Sequence, residues 1–472
     1  MITGSQGWFR LMVLAAIFWL CPVPVRGAAD SFLWRAGQNQ VSADIESWPL
    51  SRLLESLASA TGWQIYVEPD TQYTVTTRFR RLKPPDALRR LLGELNFALL
   101  PQANGPTKLF IYRTSVQEAT QLFEPARRSK GQSEATKPIA NELILTLKPG
   151  SKESIDALAK RLGAKVVGQL DGLNAYRLRF ENEAAAQNAR AELESDSDVA
   201  SVEYNYSVAA PGQLQPLSMS SLRPPSFKLN PANASDKLTI ALVDTPIQSR
   251  GAPWADYLVG SLPLAGDVSL DPNQVTHGTA MMDTLWSSLG KTLQDPDSAS
   301  IGFLSLDVYG NNETTSLFDV ARAIVEAVNR GARIVNLSLG GYGESPLLHE
   351  VLSQARAQGV LLVAAAGNEH VTTPTQPAAD PNVLAVTSGT KNGTIASYAN
   401  YGSFVDLIAP GTSVIFYNGQ AYLVTGTSAA TANASGAAAA VVVNNHQTPI
   451  EAGAQITKLP GFAPVSKPQT TP

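Results

Sequence analysis

The sequence predicts an α/β fold: a central parallel sheet with helices on both faces, preceded by two small α+β domains, the second of them ferredoxin-like. Three observations lead there. From Leu238 onward, continuous apolar strands alternate with amphipathic helices, the pattern of strands buried on both faces. Upstream, two stretches of short strands and helices are each too brief to build such a sheet. Finally, 472 residues exceed one ordinary core and fit roughly two to four domains of about 100–200 residues. A content of 44% hydrophobic and 16% charged residues is that of a globular protein. Thirty-six basic against 40 acidic residues leave a net charge of -4, which argues against nucleic acid as a partner.

Residues 1–29 read as an export signal: Arg10 supplies positive charge, Leu11 to Leu20 form an apolar run, and Gly27, Ala28 and Ala29 provide small residues for cleavage. About 10 apolar residues fall short of the roughly 20 needed to span a bilayer. The mature chain is therefore expected to be exported, periplasmic or extracellular, with no transmembrane span after signal removal. Cys21, the only cysteine, lies inside this segment, so the exported protein carries neither thiol nor disulfide.

Residues 30–115 form the first small domain. Leu50, Leu53, Leu54 and Leu57 stripe one helix, and Ala87, Leu88, Leu91, Leu92 and Leu95 another. Trp63 to Val67 and Tyr73 to Phe79 read as strands. The segments "PLSRLLESLASATGWQIYV" and "PPDALRRLLGELNFALL" resemble the short N-terminal domain of secretins and TonB-dependent receptors. Arg78, Arg80, Arg81, Lys83, Arg89 and Arg90 offer a docking face for an envelope protein, against which stands the plainer reading of a solvated helix edge.

Residues 116–138 lose periodicity and gain charge, Ser and Pro, as a linker does. In residues 139–208, Leu143, Leu145 and Leu147 alternate as in a strand, and Ile155, Leu158 and Leu162 mark a helix closed by Gly163. Two strands, a helix over Glu183 to Leu193 and a strand over Val199 to Tyr206 complete the βαββαβ order of a ferredoxin-like sandwich. Residues 209–236 are rich in Pro and Ser and read as a second linker, with a processing cut expected between about residues 205 and 236. The main domain spans residues 237–446, and a C-terminal helix and tail occupy 447–472.

Within the main domain, reactive groups should collect at the carboxyl ends of strands. Four segments stand at such places or at helix starts: "ALVDTP" with Asp244, "THGTA" with His277, "VAAAGNE" with Asn368 and "TGTSAATANASG" with Ser428. A serine hydroxyl is a weak nucleophile until a base accepts its proton, and histidine suits that role near neutrality. A buried carboxylate holds the imidazole in one tautomer and stabilises its developing charge. Ser428, at the first turn of a long apolar helix, faces free N–H groups that can hold an oxyanion, with the Asn368 amide as a second donor. Ser338 to Gly341 ("SLGG") offer exposed backbone on which an extended peptide can add as a strand, and Ala366 and Gly367 join them as substrate-binding candidates.

The segments "VDTP", "HGTA", "NLSLGG", "AAGNE", "DLIAPGTSV" and "GTSAATANASG" are similar, in order and approximate spacing, to the motifs of the subtilisin family, over about residues 236–446. The resemblance implies a subtilisin-like fold and an endopeptidase with a broad groove for polypeptide substrates. It also implies a triad of Asp244, His277 and Ser428 assisted by Asn368. Residues 141–207 resemble the family's propeptide, which implies that the chain's own propeptide acts as an intramolecular inhibitor. The family's calcium has no dense Asp and Asn loop here to place it; no metal site is assigned and no cofactor is required. Departures from the pattern are Thr245 and Pro246 after the aspartate, Ala280 three residues past the histidine, Ala432 behind the serine, and a short Asn368 to Pro377 loop. They motivate the alternative of a catalytically silent scaffold that binds envelope partners. A third reading, a channel or receptor module with a protease attached, lacks any downstream array of outer-membrane strands.

Overall fold

The computed structural model describes residues 31–35, 39–68, 71, 73–100, 106–114, 121–123, 138–212, 214–217, 227–230, 237–389 and 394–465. The stretch read as an export signal, with Cys21, lies outside the described residues, as does most of the linker read over 116–138.

Two compact units, residues 1–125 and 126–472, divide the chain. In the first, β1 (Ser31–Arg35), β2 (Gln40–Pro49) and β4 (Thr74–Leu82) make a three-stranded sheet. A second sheet has the order β5 (Asn96–Leu100), β6 (Lys108–Tyr112), β3 (Gln64–Val67), β7 (Gln121–Phe123). Helices α1 (Leu50–Thr61) and α2 (Pro84–Leu92) bury the stripes expected of them, except that Leu95 falls beyond the end of α2 and packs against the core only partly buried. Gly62 ends α1 in the left-handed conformation at φ 69°, and Pro84 opens α2, where its missing N–H costs nothing. Strand β7 falls within the span read as linker. It completes the sheet against β3, a partner far away in sequence, and so has no local signature.

The second unit opens with β8 (Pro138–Leu147), α3 (Ile155–Leu162), β9 (Lys165–Leu170), β10 (Ala175–Arg179), α4 (Glu183–Leu193) and β11 (Val199–Ala209). The antiparallel order β11-β8-β10-β9 is the ferredoxin-like arrangement. Ser154 and Asn182 cap the two helices by accepting from Ala157 and Ala185 N–H.

After β12 (Gln215–Leu217), β13 (Leu238–Asp244) starts the main sheet. Its further strands are β14 (Leu258–Pro263), β15 (Ile301–Asp307), β17 (Ala332–Leu337), β18 (Leu361–Ala365), β19 (Val383–Gly389), β20 (Leu407–Pro410) and the antiparallel β23 (Ala463–Pro464). The order β14-β15-β13-β17-β18-β19-β20-β23 places β13 between β15 and β17. Strand order reverses there, which opens a crevice at the carboxyl end of β13, where Asp244 sits. Helices α5 (His277–Thr292) and α8 (Thr427–Asn445) cover one face, and α6 (Leu317–Asn329) and α7 (Pro346–Ala357) the other. The short strand β16 (Thr314–Ser316), a hairpin of β21 (Thr412–Tyr417) and β22 (Gln420–Thr425), and α9 (Pro449–Gln455) complete the unit.

The stretch read as a linker over 209–236 is partly docked. Strand β12 pairs with β22. Phe227 stacks on Trp286 with ring centroids 4.0 Å apart, and Leu229 is 2% exposed. Among the described residues no helix is long and apolar enough to cross a membrane.

Candidate active site

Strand β13 ends on Asp244, 1% exposed, because the strand before it is apolar except for Thr239 and the sheet is covered on both faces. Its Oδ1 binds His277 Nδ1 at 2.8 Å and accepts from Thr245 N–H at 2.7 Å. Its Oδ2 is buried with no hydrogen-bond partner among the described residues. His277 is the first residue of α5, fixed by Thr276, whose hydroxyl accepts from Thr279 N–H as an N-cap. Gly278 lets the two segments meet: a Cβ there would fall 2.1 Å from the carbonyl oxygen of Thr245, and its N–H donates to Thr245 Oγ1 at 2.8 Å. In the adjoining strand Asp307 pairs in register with Asp244. Burial raises its carboxyl, the Asp244 charge adds to this, and N–H bonds from Gly310 and Tyr309 oppose it.

Ser428 is the second residue of α8, whose start is built by Gly426 at φ 151°, a backbone conformation that favours glycine. Thr427 N–H donates to Asn368 Oδ1 at 2.8 Å and Ala430 N–H to the Gly426 carbonyl at 3.2 Å. Those of Ser428 and Ala429, in the same first turn, have no intrahelical acceptor and sit where the helix dipole is positive. Thr427 also donates its hydroxyl to Asn368 Oδ1 at 3.1 Å, so the amide oxygen is tied down and the NH₂ is the end that can donate. The Ser428 hydroxyl donates to the carbonyl of Ser338 at 3.1 Å, and Ser338 Oγ returns a bond to the Ser428 carbonyl at 3.0 Å. Serine and imidazole share no hydrogen bond in this conformation.

The candidate substrate-binding residues fall in two groups. Ser338 and Leu339 are buried, and Gly341 exchanges both backbone hydrogen bonds with Gln376, at 2.9 and 2.7 Å. The expectation of exposed backbone at Ser338 to Gly341 is corrected accordingly: the N–H and carbonyl of Gly341 are already paired. The carbonyl of Ala366 accepts from Thr375 Oγ1 and Asn400 Nδ2, both at 2.9 Å, and Gly367 N–H donates to Thr427 Oγ1 at 3.1 Å. Gly340 lies between these groups in sequence, and a Cβ added there would stand 3.3 Å from Gln376 O.

The edge that carries an added strand lies elsewhere. Strand β16 pairs antiparallel with β11 of the ferredoxin-like domain, Ser207 opposite Ser316 and Ala209 opposite Thr314, and Ala210 N–H donates to the Glu313 carbonyl at 2.7 Å. Neither β16 nor the partners Tyr309, Thr427 and Asn400 were anticipated from sequence. A three-residue strand has no periodicity, and only the amphipathic helix after Ser316 hinted at a boundary. Of the other histidines, His349 pairs with Asp380 at 2.7 Å, while His370 and His446 take left-handed turn conformations. Among the described residues no three His, Cys, Asp or Glu side chains gather as a metal site.

Residues 235–457 match the model of the subtilase family, and residues 124–205 match that of the fervidolysin N-terminal prodomain. Thermitase from Thermoactinomyces vulgaris is 34% identical over 205 residues, 42% of this chain and 72% of that protein. An alkaline protease from Alkalihalobacillus alcalophilus is 30% identical over 258 residues, 54% of this chain. The chain thus spans 66% of that relative's length. The crystal structure of an epidermin leader peptide processing serine protease from Staphylococcus aureus superposes with a TM-score of 0.51 at 17% identity, covering 70% of this chain and 95% of that one. Fold and comparisons define a subtilisin-like α/β domain preceded by a prodomain. The chain belongs to the subtilase family of serine-type endopeptidases.

Proposed function

We propose that this chain is an exported serine endopeptidase, made as a zymogen, that hydrolyses peptide bonds through Ser428, His277 and Asp244. The observation that carries the reading is the 2.8 Å Asp244–His277 bond at the crevice where the strand order reverses, with Ser428 starting a helix at the same edge. Asp244, bonded to Nδ1, leaves Nε2 to take the serine proton. The hydroxyl exchanges its bond to the Ser338 carbonyl for one to the imidazole and attacks the peptide carbonyl. The oxyanion is held by the N–H of Ser428 and the Asn368 amide. The leaving amine takes the proton from His277, and water resolves the acyl-enzyme by the same steps in reverse.

The ferredoxin-like domain is read as the propeptide and inhibitor, since its last strand covers β16 beside the site. A fluorophosphonate probe tests the reading: it should label the processed wild type and not Ser428→Ala. Absence of labelling in processed wild type would favour the silent scaffold. Recovery of the labelled form from the periplasm or medium tests export.

A further inference from the structure

We propose that Tyr309 is a substrate-positioning residue: its hydroxyl donates to a backbone carbonyl on the amino side of the scissile bond, at the place that Ala209 occupies in the uncleaved chain. The inference rests on the endopeptidase reading and adds to it the demand for an extended polypeptide reaching this group.

Residues 207–209 lie as a strand along β16, and after Ala210 the chain crosses to β12, which pairs with β22, the strand that leads directly into Gly426, Thr427 and Ser428. The two docked stretches are separated only by residues 211–214, about 13 Å of extended chain. The chain therefore runs from β16, which grips its amino side, to β22, the strand that leads into the candidate nucleophile. Once that segment leaves, β16 is an open edge on which a substrate strand can add.

Tyr309 is 1% exposed and packed in the core cluster that also contains Val208, Leu317 and Leu339. Its hydroxyl donates to the Ala209 carbonyl at 3.2 Å, the acceptor it uses among the described residues. Burial and the nearby Asp244 charge keep the phenol protonated, so it can serve the groove only as a donor or water acceptor. A buried hydroxyl that loses its acceptor is costly, which favours its reuse by any peptide carbonyl at the same register. Next to it, Val208 is fully buried, with Cγ2 3.3 Å from where a Gly341 Cβ would stand. The adjoining position thus takes a compact apolar side chain.

The test uses processed wild-type enzyme and Tyr309→Phe, which keeps the packed ring, with a nested set of peptides bearing one to eight residues before the cut. Wild-type kcat/KM should step up at one length, carried mainly by KM, and the step should shrink by about 2- to 10-fold in the variant, the worth of one net hydrogen bond. Should the variant fail to mature, a thioamide replacing the carbonyl at that position should weaken cleavage by wild type by a similar factor. A step of equal size in Tyr309→Phe, no step in wild type, or indifference to the thioamide overturns the proposal. If wild type cleaves no peptide of any length, the endopeptidase reading falls and takes this inference with it.

Discussion

Glu203, in β11 of the prodomain, accepts a hydrogen bond from Leu347 N–H at 3.0 Å, capping the start of α7 in the catalytic domain. The carboxyl is 7% exposed, and its Oε2 is buried with no partner among the described residues. Burial pushes its pKa up from 4.5 to about 7, against the opposing bonds from Leu347 N–H and Ser345. A detached prodomain would return the group to water and to its ordinary range, so docking takes up a proton. The docking stabilisation it contributes is full below about pH 4.5 and is lost as pH rises through about 7. Prodomain inhibition should therefore weaken between pH 4.5 and 8, by up to roughly 10²-fold from this group. An inhibition constant measured across that range should lose most of the slope in Glu203→Gln.

Arg177 in β10 links the prodomain's Glu142, 2% exposed, to Asp319 in the first turn of α6, with bonds of 2.7 Å to each. Burial would raise Glu142, but hydrogen bonds and charge from Arg177, with Asn205 and Arg179, hold it below its ordinary value. Arg177→Met leaves that carboxylate buried and short of its principal cation. Loss of one partner of such a pair costs about 3–5 kcal/mol, read as a lower thermal midpoint of the uncleaved Ser428→Ala chain. Arg89→Met, at an exposed pair, should move it by less than about 1 kcal/mol.

Asn368→Asp keeps an oxygen for Thr427 N–H and removes the NH₂ donor. The expected loss in kcat is on the order of 10²–10³, the range found for removing one such donor in a subtilisin, with KM and thermal midpoint little changed. An unaltered kcat would remove Asn368 from the proposed oxyanion site.

Phe227 stacks on Trp286 and Leu229 is nearly inaccessible, with its N–H donating to Tyr257 Oη at 2.9 Å. A cut after these residues would pull two apolar side chains from the core. The mature N-terminus should therefore lie between residues 211 and 226, and mass spectrometry of the processed enzyme reads it directly. An N-terminus beyond Leu229 would show that the segment is expendable.

The sequence by itself determined the alternation of buried strands and helices, the ferredoxin-like order, and Asp244, His277, Asn368 and Ser428 as candidates. Each is carried by signals within a few residues: apolar runs, helix stripes, and glycines where the backbone must turn or crowd. Tertiary structure alone decided that Asp244 lies where the strand order reverses, that Asn368 is aimed by Thr427, and that Gly341 is paired while β16 is the edge in use. It also revealed the docked β12 and Phe227 inside an apparent linker, together with Glu203, Arg177 and Tyr309. These depend on distant partners, from 28 residues away for Leu229 with Tyr257, through 144 for Leu347 with Glu203, to 208 (423 minus 215) for Gln215 opposite Leu423. A short strand or lone side chain whose partner is that distant leaves no periodicity in the chain, because its energy comes from the contact and not from its neighbours in sequence.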